Sequence, residues 1–220
     1  MRANMLILSI WTLVILSGCI ASKVVVESNT FSSSRLPEIS VTFPENLQYI
    51  GEFKKKDIPS NNNRITSRCY VFVSVGENSE IMALAQVQIN HIEPGYWLSN
   101  IFYHSSYLSK GVVDIDGFSY QEASWVGNYP ESKFINDKGL IIPRKLITRS
   151  LARIVDSSNQ TLIKISYGEV VPDIKSDDYY KSSYSWGNKD LFDQRQQEIF
   201  KAFLERASSA TSISHNVKLD

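Results

Sequence analysis

The sequence predicts an α+β fold: a single domain built on an antiparallel β-sheet, with a C-terminal amphipathic helix packed on one face. Three observations lead there. Residues 69–75 and 81–92 are two runs rich in strand-forming side chains, joined by Gly76-Glu77-Asn78-Ser79, a hairpin-type connection. In the second run Ala83, Ala85, Val87 and Ile89 share one face, while Gln86, Gln88 and Asn90 share the other. That alternation is the mark of an antiparallel sheet with one buried and one wet side. Near the C-terminus, Phe192, Ile199, Phe200, Phe203 and Leu204 fall on one helical stripe, with Asp190 placed to cap it and Arg195, Gln197, Lys201 and Glu205 on the opposite side.

The other elements follow in chain order. Residues 20–37 are dominated by serine and read as a tether closed by Pro37, although Val24-Val25-Val26 is a possible edge strand. As a flexible linker that length gives a standoff of roughly 20–25 Å. Ile39, Val41 and Phe43 alternate with polar residues up to Pro44 and predict a short strand, which 47–53 continues or pairs with. Residues 54–63 are a charged loop ending in three asparagines. Pro94-Gly95 closes the central hairpin. In the aromatic stretch 96–107, the spacing of Trp97, Ile101, His104 and Leu108 suits a short helix. Residues 117–126 predict a strand, and Asn128-Tyr129-Pro130 a break. Residues 144–155 fit a helical face through Leu146, Ile147, Ser150, Leu151 and Ile154. The strand reading is preferred because β-branched residues are frequent, Glu is absent, and a turn at 156–160 leads into a strand-like run at 161–167. From Ser208 onward the chain is polar and is expected to fray.

Composition narrows the function. The chain carries 23 basic and 23 acidic residues, so no basic surplus points to nucleic acid and no acidic run points to a disordered tail. Cys69 lies in the apolar run Cys-Tyr-Val-Phe-Val and reads as a small buried hydrophobe. A thiol nucleophile paired with His91 or His104 is the alternative, but its flanking residues carry no cysteine-peptidase signature. His91, His104 and His215 lack the spacing of zinc pairs. Asp114-Ile115-Asp116-Gly117 resembles a calcium loop until the register is set. Placing Gly117 at the loop glycine puts Val112 first and Ala123 last, neither an oxygen ligand, so a turn is expected. There is no phosphate-binding glycine loop and no Gly-x-Ser-x-Gly elbow, and no cofactor or metal is expected. The strongest binding hint is the stretch 177–190, where Tyr179, Tyr180, Tyr184 and Trp186 sit among Ser, Lys, Gly and Asn. Such rings either form a recognition surface for glycan or protein or pack back beneath the final helix.

The N-terminus carries the most specific signal. Arg2 is followed by the apolar run 5–16, too short to span a bilayer, and then by small residues. Leu16-Ser17-Gly18-Cys19 resembles the lipobox of bacterial lipoproteins over these first nineteen residues. The resemblance implies cleavage between Gly18 and Cys19, a diacylglyceryl thioether on Cys19, and acylation of the new amine. Because buried acyl carbon is worth about 0.8 kcal/mol per methylene, such an anchor is effectively permanent. Ile20 stands where an Asp would favour inner-membrane retention, which in a two-membrane cell implies the outer membrane, facing the periplasm. The expected organisation is a signal peptide at 1–18, a lipidated tether at 19–37, a globular domain at 38–207 and a tail at 208–220. The expected function is that of a non-enzymatic, membrane-anchored envelope lipoprotein that binds an envelope protein or glycan, with no nucleic-acid partner. An envelope hydrolase acting on peptidoglycan or glycan is one alternative, because its carboxylates need not be near in sequence. A structural subunit of a secretion or surface assembly is another.

Overall fold

The computed structural model describes residues 24–34, 37–57, 65–95, 101–102, 107–142, 145–170 and 194–215. Its alternating segments build two sheets, and every strand pairing within them is antiparallel. The smaller sheet contains β1 (Val24–Glu27), β2 (Thr30–Ser34), β3 (Glu38–Thr42) and β11 (Ser212–His215), in the order β1-β2-β3-β11. The larger contains β4 (Gln48–Asp57), β5 (Ile65–Val75), β6 (Ile81–Ile92), β7 (Ser109–Ile115), β8 (Phe118–Gly127), β9 (Leu146–Ile154) and β10 (Thr161–Val170), in the order β4-β5-β6-β10-β9-β8-β7. Among the described residues two α-helices accompany the sheets: α1 (Ser132–Asn136) and α2 (Gln194–Ser209).

Strand periodicity gives the larger sheet two different faces. One carries Tyr70 and Phe72 from β5, Ala83, Ala85, Val87 and Ile89 from β6, and Ile163, Ile165 and Tyr167 from β10. These side chains join Phe31, Ile39, Val41 and Ile213 of the smaller sheet in the main core. Tilted ring pairs cross between the layers, Phe31 to Tyr70 at 4.8 Å and Phe43 to Phe72 at 4.9 Å. Phe203 and Ala207 of α2 belong to the same core, with Phe203 stacked on Tyr167 at 6.4 Å. Arg206 of α2 donates from Nε to both oxygens of the Glu169 carboxylate of β10 and from Nη2 to one of them, and Arg149 of β9 donates to the carbonyl of Ala207.

Several sequence expectations are corrected. Instead of one sheet there are two, because the expected tether folds: from Val24 to Ser34 it forms a hairpin that delivers Phe31, fully buried, to the core. Serine content misled here, since Ser32 pairs its hydroxyl with that of Ser40 across the ladder at 2.9 Å. The tail also folds. Ser212–His215 adds to β3 through one buried apolar side chain, Ile213, a run too short for its alternation to register. Residues 109–115 and 132–136, given no element from sequence, form β7 and α1. The choice of a strand at 144–155 agrees with β9. Its inner face also carries two arginines, both accommodated there: Arg149 pairs with Glu122, and Arg153 lies over the Phe118 ring at 4.0 Å. The short helix expected at 96–107 and the Asp190 cap fall largely or wholly outside the described residues.

Candidate functional site

The second face of the larger sheet is not wet, as the sequence suggested, but covered at two places. Over one end, the segment around α1 lays Phe134, Ile135, Leu140 and Ile142 on Val71, Val73, Ile81, Leu84 and Leu146. Phe53 of β4 meets Phe134 at 4.8 Å. Over the other end, Phe102, Tyr107 and Trp125 pack on Ala123, Ala152 and Leu162, with Tyr107 edge-on to both other rings. Between the two apolar covers runs a polar strip, and over it a recess of about 120 Å³. At about 30 Å³ per water, that space holds some four waters or one small polar group.

Each wall of the recess follows from strand register. Gln86 and Gln88 stand on β6 beside Leu84, and Lys164 and Ser166 face them from β10, with Lys164 opposite Gln88 and Ser166 opposite Gln86. Thr148 and Leu146 come from β9 and Trp125 from β8. Lys55 of β4 and Glu131, at the start of α1, close one side with an ion pair of 2.6 Å. Gly127 to Pro130 form the lip.

The strip is a directed hydrogen-bond chain. The Tyr129 hydroxyl donates to Gln86 Oε1 at 2.6 Å, Gln86 Nε2 to Gln88 Oε1 at 3.1 Å, and Gln88 Nε2 to Asn90 Oδ1 at 2.7 Å and to Ser67 Oγ at 3.3 Å. Ser150 and Ser166 share a hydroxyl–hydroxyl bond of 2.6 Å. Gln86 is only 6% exposed. A buried amide must be paired to remain neutral in cost, and this chain pairs it. Burial, helped by the Glu131 charge, pushes the Tyr129 phenol far above its ordinary range, so it is a standing donor at any physiological pH.

Lys164 differs from these neighbours. Its ammonium makes no hydrogen bond or ion pair among the described residues. It sits over two aromatic rings instead, 4.9 Å from the centre of Trp125 and 5.8 Å from that of Phe102. Burial, with Lys55 as the lesser cause, lowers its pKa to about 8, while Glu131 and Cys69 pull the other way. Half-buried and cationic, it lines the recess together with Lys55 and, unlike Lys55, makes no ion pair among the described residues.

The residues picked out from sequence are mostly elsewhere. Gly18, Cys19, Tyr179, Tyr180, Tyr184, Trp186 and His104 lie outside the described residues. Cys69 is buried on β5, opposite Gln88 and Phe53, as a small side chain among larger ones. His91 bonds the Thr161 hydroxyl at 3.3 Å. Asp114 accepts from the Ser119 hydroxyl at the β7–β8 turn, where Asp116 and Gly117 take positive φ as a tight turn requires. His215 packs against Phe118 at 4.1 Å and meets the Tyr120 hydroxyl at 3.2 Å, so its place is in the fold and not in a tail. Among the described residues no group of three or more His, Cys, Asp and Glu side chains is arranged to hold a metal ion, and no helix is long and apolar enough to cross a membrane. Sequence reasoning missed Lys55, Glu131, Tyr129 and Lys164 altogether and took Gln86 and Gln88 for solvent-facing. The available signal was the alternation Leu162-Lys164-Ser166 on a strand central to the sheet, where a polar face needs a cover or a ligand. No family model, no curated protein and no solved structure matches this chain.

Proposed function

We propose that this chain is a non-enzymatic lipoprotein of the bacterial envelope, held by lipid on Cys19 and binding another envelope component, protein or glycan, through the recess on its larger sheet. The lipobox at 16–19 supports the anchor, and in a two-membrane cell Ile20 favours the outer membrane, facing the periplasm. In this reading residues 24–215 act as one α+β unit, with α2 lying on the core-facing side and the recess on the side away from it. The observation that carries the binding role is the recess itself: a preorganised line of donors and a cation in a space sized for one polar group. Among the described residues Glu131 is the one carboxylate lining it, and Lys55 already holds it. Retaining and inverting glycosidases both need a second carboxylate facing the first across the scissile bond, which makes binding the better account of this recess.

Two measurements test the proposal. Replacing Cys19 by Ser is expected to abolish labelling by a palmitate analogue and to release the protein from membranes. A photoreactive phenylalanine analogue at Asn128, on the lip, is expected to crosslink one envelope component in intact cells, whereas the same analogue at the exposed Glu38 of β3 does not. Equal adducts from both positions, or none from Asn128, would overturn the recess as the binding site.

A further inference from the structure

We infer that the group held in the recess is a carboxylate, taken as a charge partner by Lys164; this rests on the recess being a binding site. Charge comes first. Among the described residues that line the recess, Lys55 and Glu131 pair at 2.6 Å, which leaves Lys164 as the charged side chain without an ion-pair partner there. An ammonium carries three donors, and here none finds an acceptor among the described residues. The faces of Trp125 and Phe102 replace part of its lost hydration but accept no hydrogen bond of ordinary strength. The recess is the space in which those donors can be met.

Size and charge then select the ligand. A recess of about 120 Å³, open to solvent on one side, has room for a carboxylate and its attached carbons. One negative charge balances the site, whereas a phosphate dianion would add an uncompensated charge beside Glu131. Neutral carbonyls satisfy donors but leave the buried cation without a counter-charge. The surroundings suit an acceptor too: Gln86 spends one amide hydrogen on Gln88, leaving the other, and the Ser166 and Thr148 hydroxyls line the same space. A carboxylate reaches such a site from a peptide chain end or from an acidic sugar, and the two share this chemistry.

The test uses the full lipidated protein in detergent micelles, with its tryptophans replaced by 5-fluorotryptophan. The Trp125 fluorine resonance is identified by its loss in Trp125→Phe and reports on the ammonium beside it. Sodium acetate at constant ionic strength is expected to shift this resonance saturably, and sodium chloride is not. In Lys164→Gln acetate binding should weaken by at least about tenfold, while Lys164→Arg keeps most of it. Binding also has a reciprocal signature: saturating acetate must raise the pH midpoint of the Trp125 shift, because an anion favours the protonated amine. That measurement needs no substitution, so it decides the matter even if Lys164→Gln does not fold. N-acetylalanine binding more tightly than glucuronate assigns the peptide chain end, and the reverse order assigns the acidic sugar. An unmoved midpoint, an equal response to chloride, or tighter binding of inorganic phosphate overturns the carboxylate. Crosslinking from Asn128 without an acetate response would remove the carboxylate and keep the binding site. An acetate response without crosslinking would keep the carboxylate site and remove the envelope component as its occupant.

Discussion

Lys164 offers a thermodynamic prediction that needs no ligand. Replacing it by Met keeps the unbranched stem and removes the charge from a face shared with Trp125 and Leu162. The amine falls from 10.5 to about 8 on folding. At about 1.4 kcal/mol per pH unit, the native state gives up on the order of 3 kcal/mol by keeping this cation inside at neutral pH. The sign follows from proton counting. Between the folded and unfolded midpoints the unfolded chain binds the proton more tightly, so stability rises with pH across that window. Below pH ~8 the amine is charged in both states and the full penalty stands; above pH ~10.5 it is neutral in both and the penalty vanishes. Lys164→Met is therefore expected to be more stable than the unaltered protein at pH 7, by up to about 3 kcal/mol, and the two should converge as pH approaches 10. Urea denaturation followed by far-ultraviolet circular dichroism at a series of pH values reads this directly. A variant that is less stable at pH 7, with a difference that does not change with pH, would refute the picture of a desolvated, uncompensated lysine.

Three further outcomes follow from the fold. Phe31→Ala should destabilise by about 3–5 kcal/mol in the same denaturation assay, since its ring is fully buried against Tyr70; a loss near zero would return residues 19–37 to a tether. His215, whose pKa burial and then the Arg153 charge hold below the ordinary value, with Asp116 opposing, should make melting temperature fall as pH drops through and below about 6.5, because the unfolded chain takes up the proton first; His215→Gln should flatten that slope. Ser124 buries its hydroxyl with no hydrogen-bond partner among the described residues, so Ser124→Ala should be neutral or stabilising by about 1 kcal/mol, and a marked loss of stability would show that the hydroxyl is paired.

The central hairpin and the final helix were legible because each repeats its pattern for long enough. β6 alternates over twelve residues, and α2 repeats its stripe through Ile199, Phe200 and Phe203. Two of the elements that were missed, β2 and β11, each offer a single fully apolar anchor, Phe31 and Ile213. Their register is set by the neighbouring strand and not by their own sequence. The site was hidden for a related reason. A polar face on a strand reads as solvent-exposed unless something covers it, and the covers here come from Phe102, Tyr107 and residues 129–142, far from Gln86 in sequence. No local pattern reports that Lys55, Glu131, Tyr129 and Lys164 meet.

The folded N-terminal hairpin changes what the anchor would do. With a tether of eighteen residues the body would float some 20–25 Å from the bilayer. With β1 beginning at Val24, the chain from Cys19 to that strand reaches at most about 17–18 Å when fully extended. Glu27, exposed at the far end of β1, then lies within about 30 Å of the Cys19 sulfur along the chain. Energy transfer from a fluorophore placed at Glu27 to acceptors in the lipid headgroups should consequently be strong for the lipidated protein. Inserting twelve Gly and Ser residues between Ile20 and Ala21 adds a coil of roughly 17–21 Å root-mean-square length and should lower the transfer markedly. If the insertion leaves transfer unchanged, the standoff is not governed by this short connection, and the smaller sheet does not hold the body near the membrane. If transfer falls as expected, the reach of whatever enters the recess is bounded by the same short chain, and partner crosslinking from Asn128 should weaken in the lengthened protein.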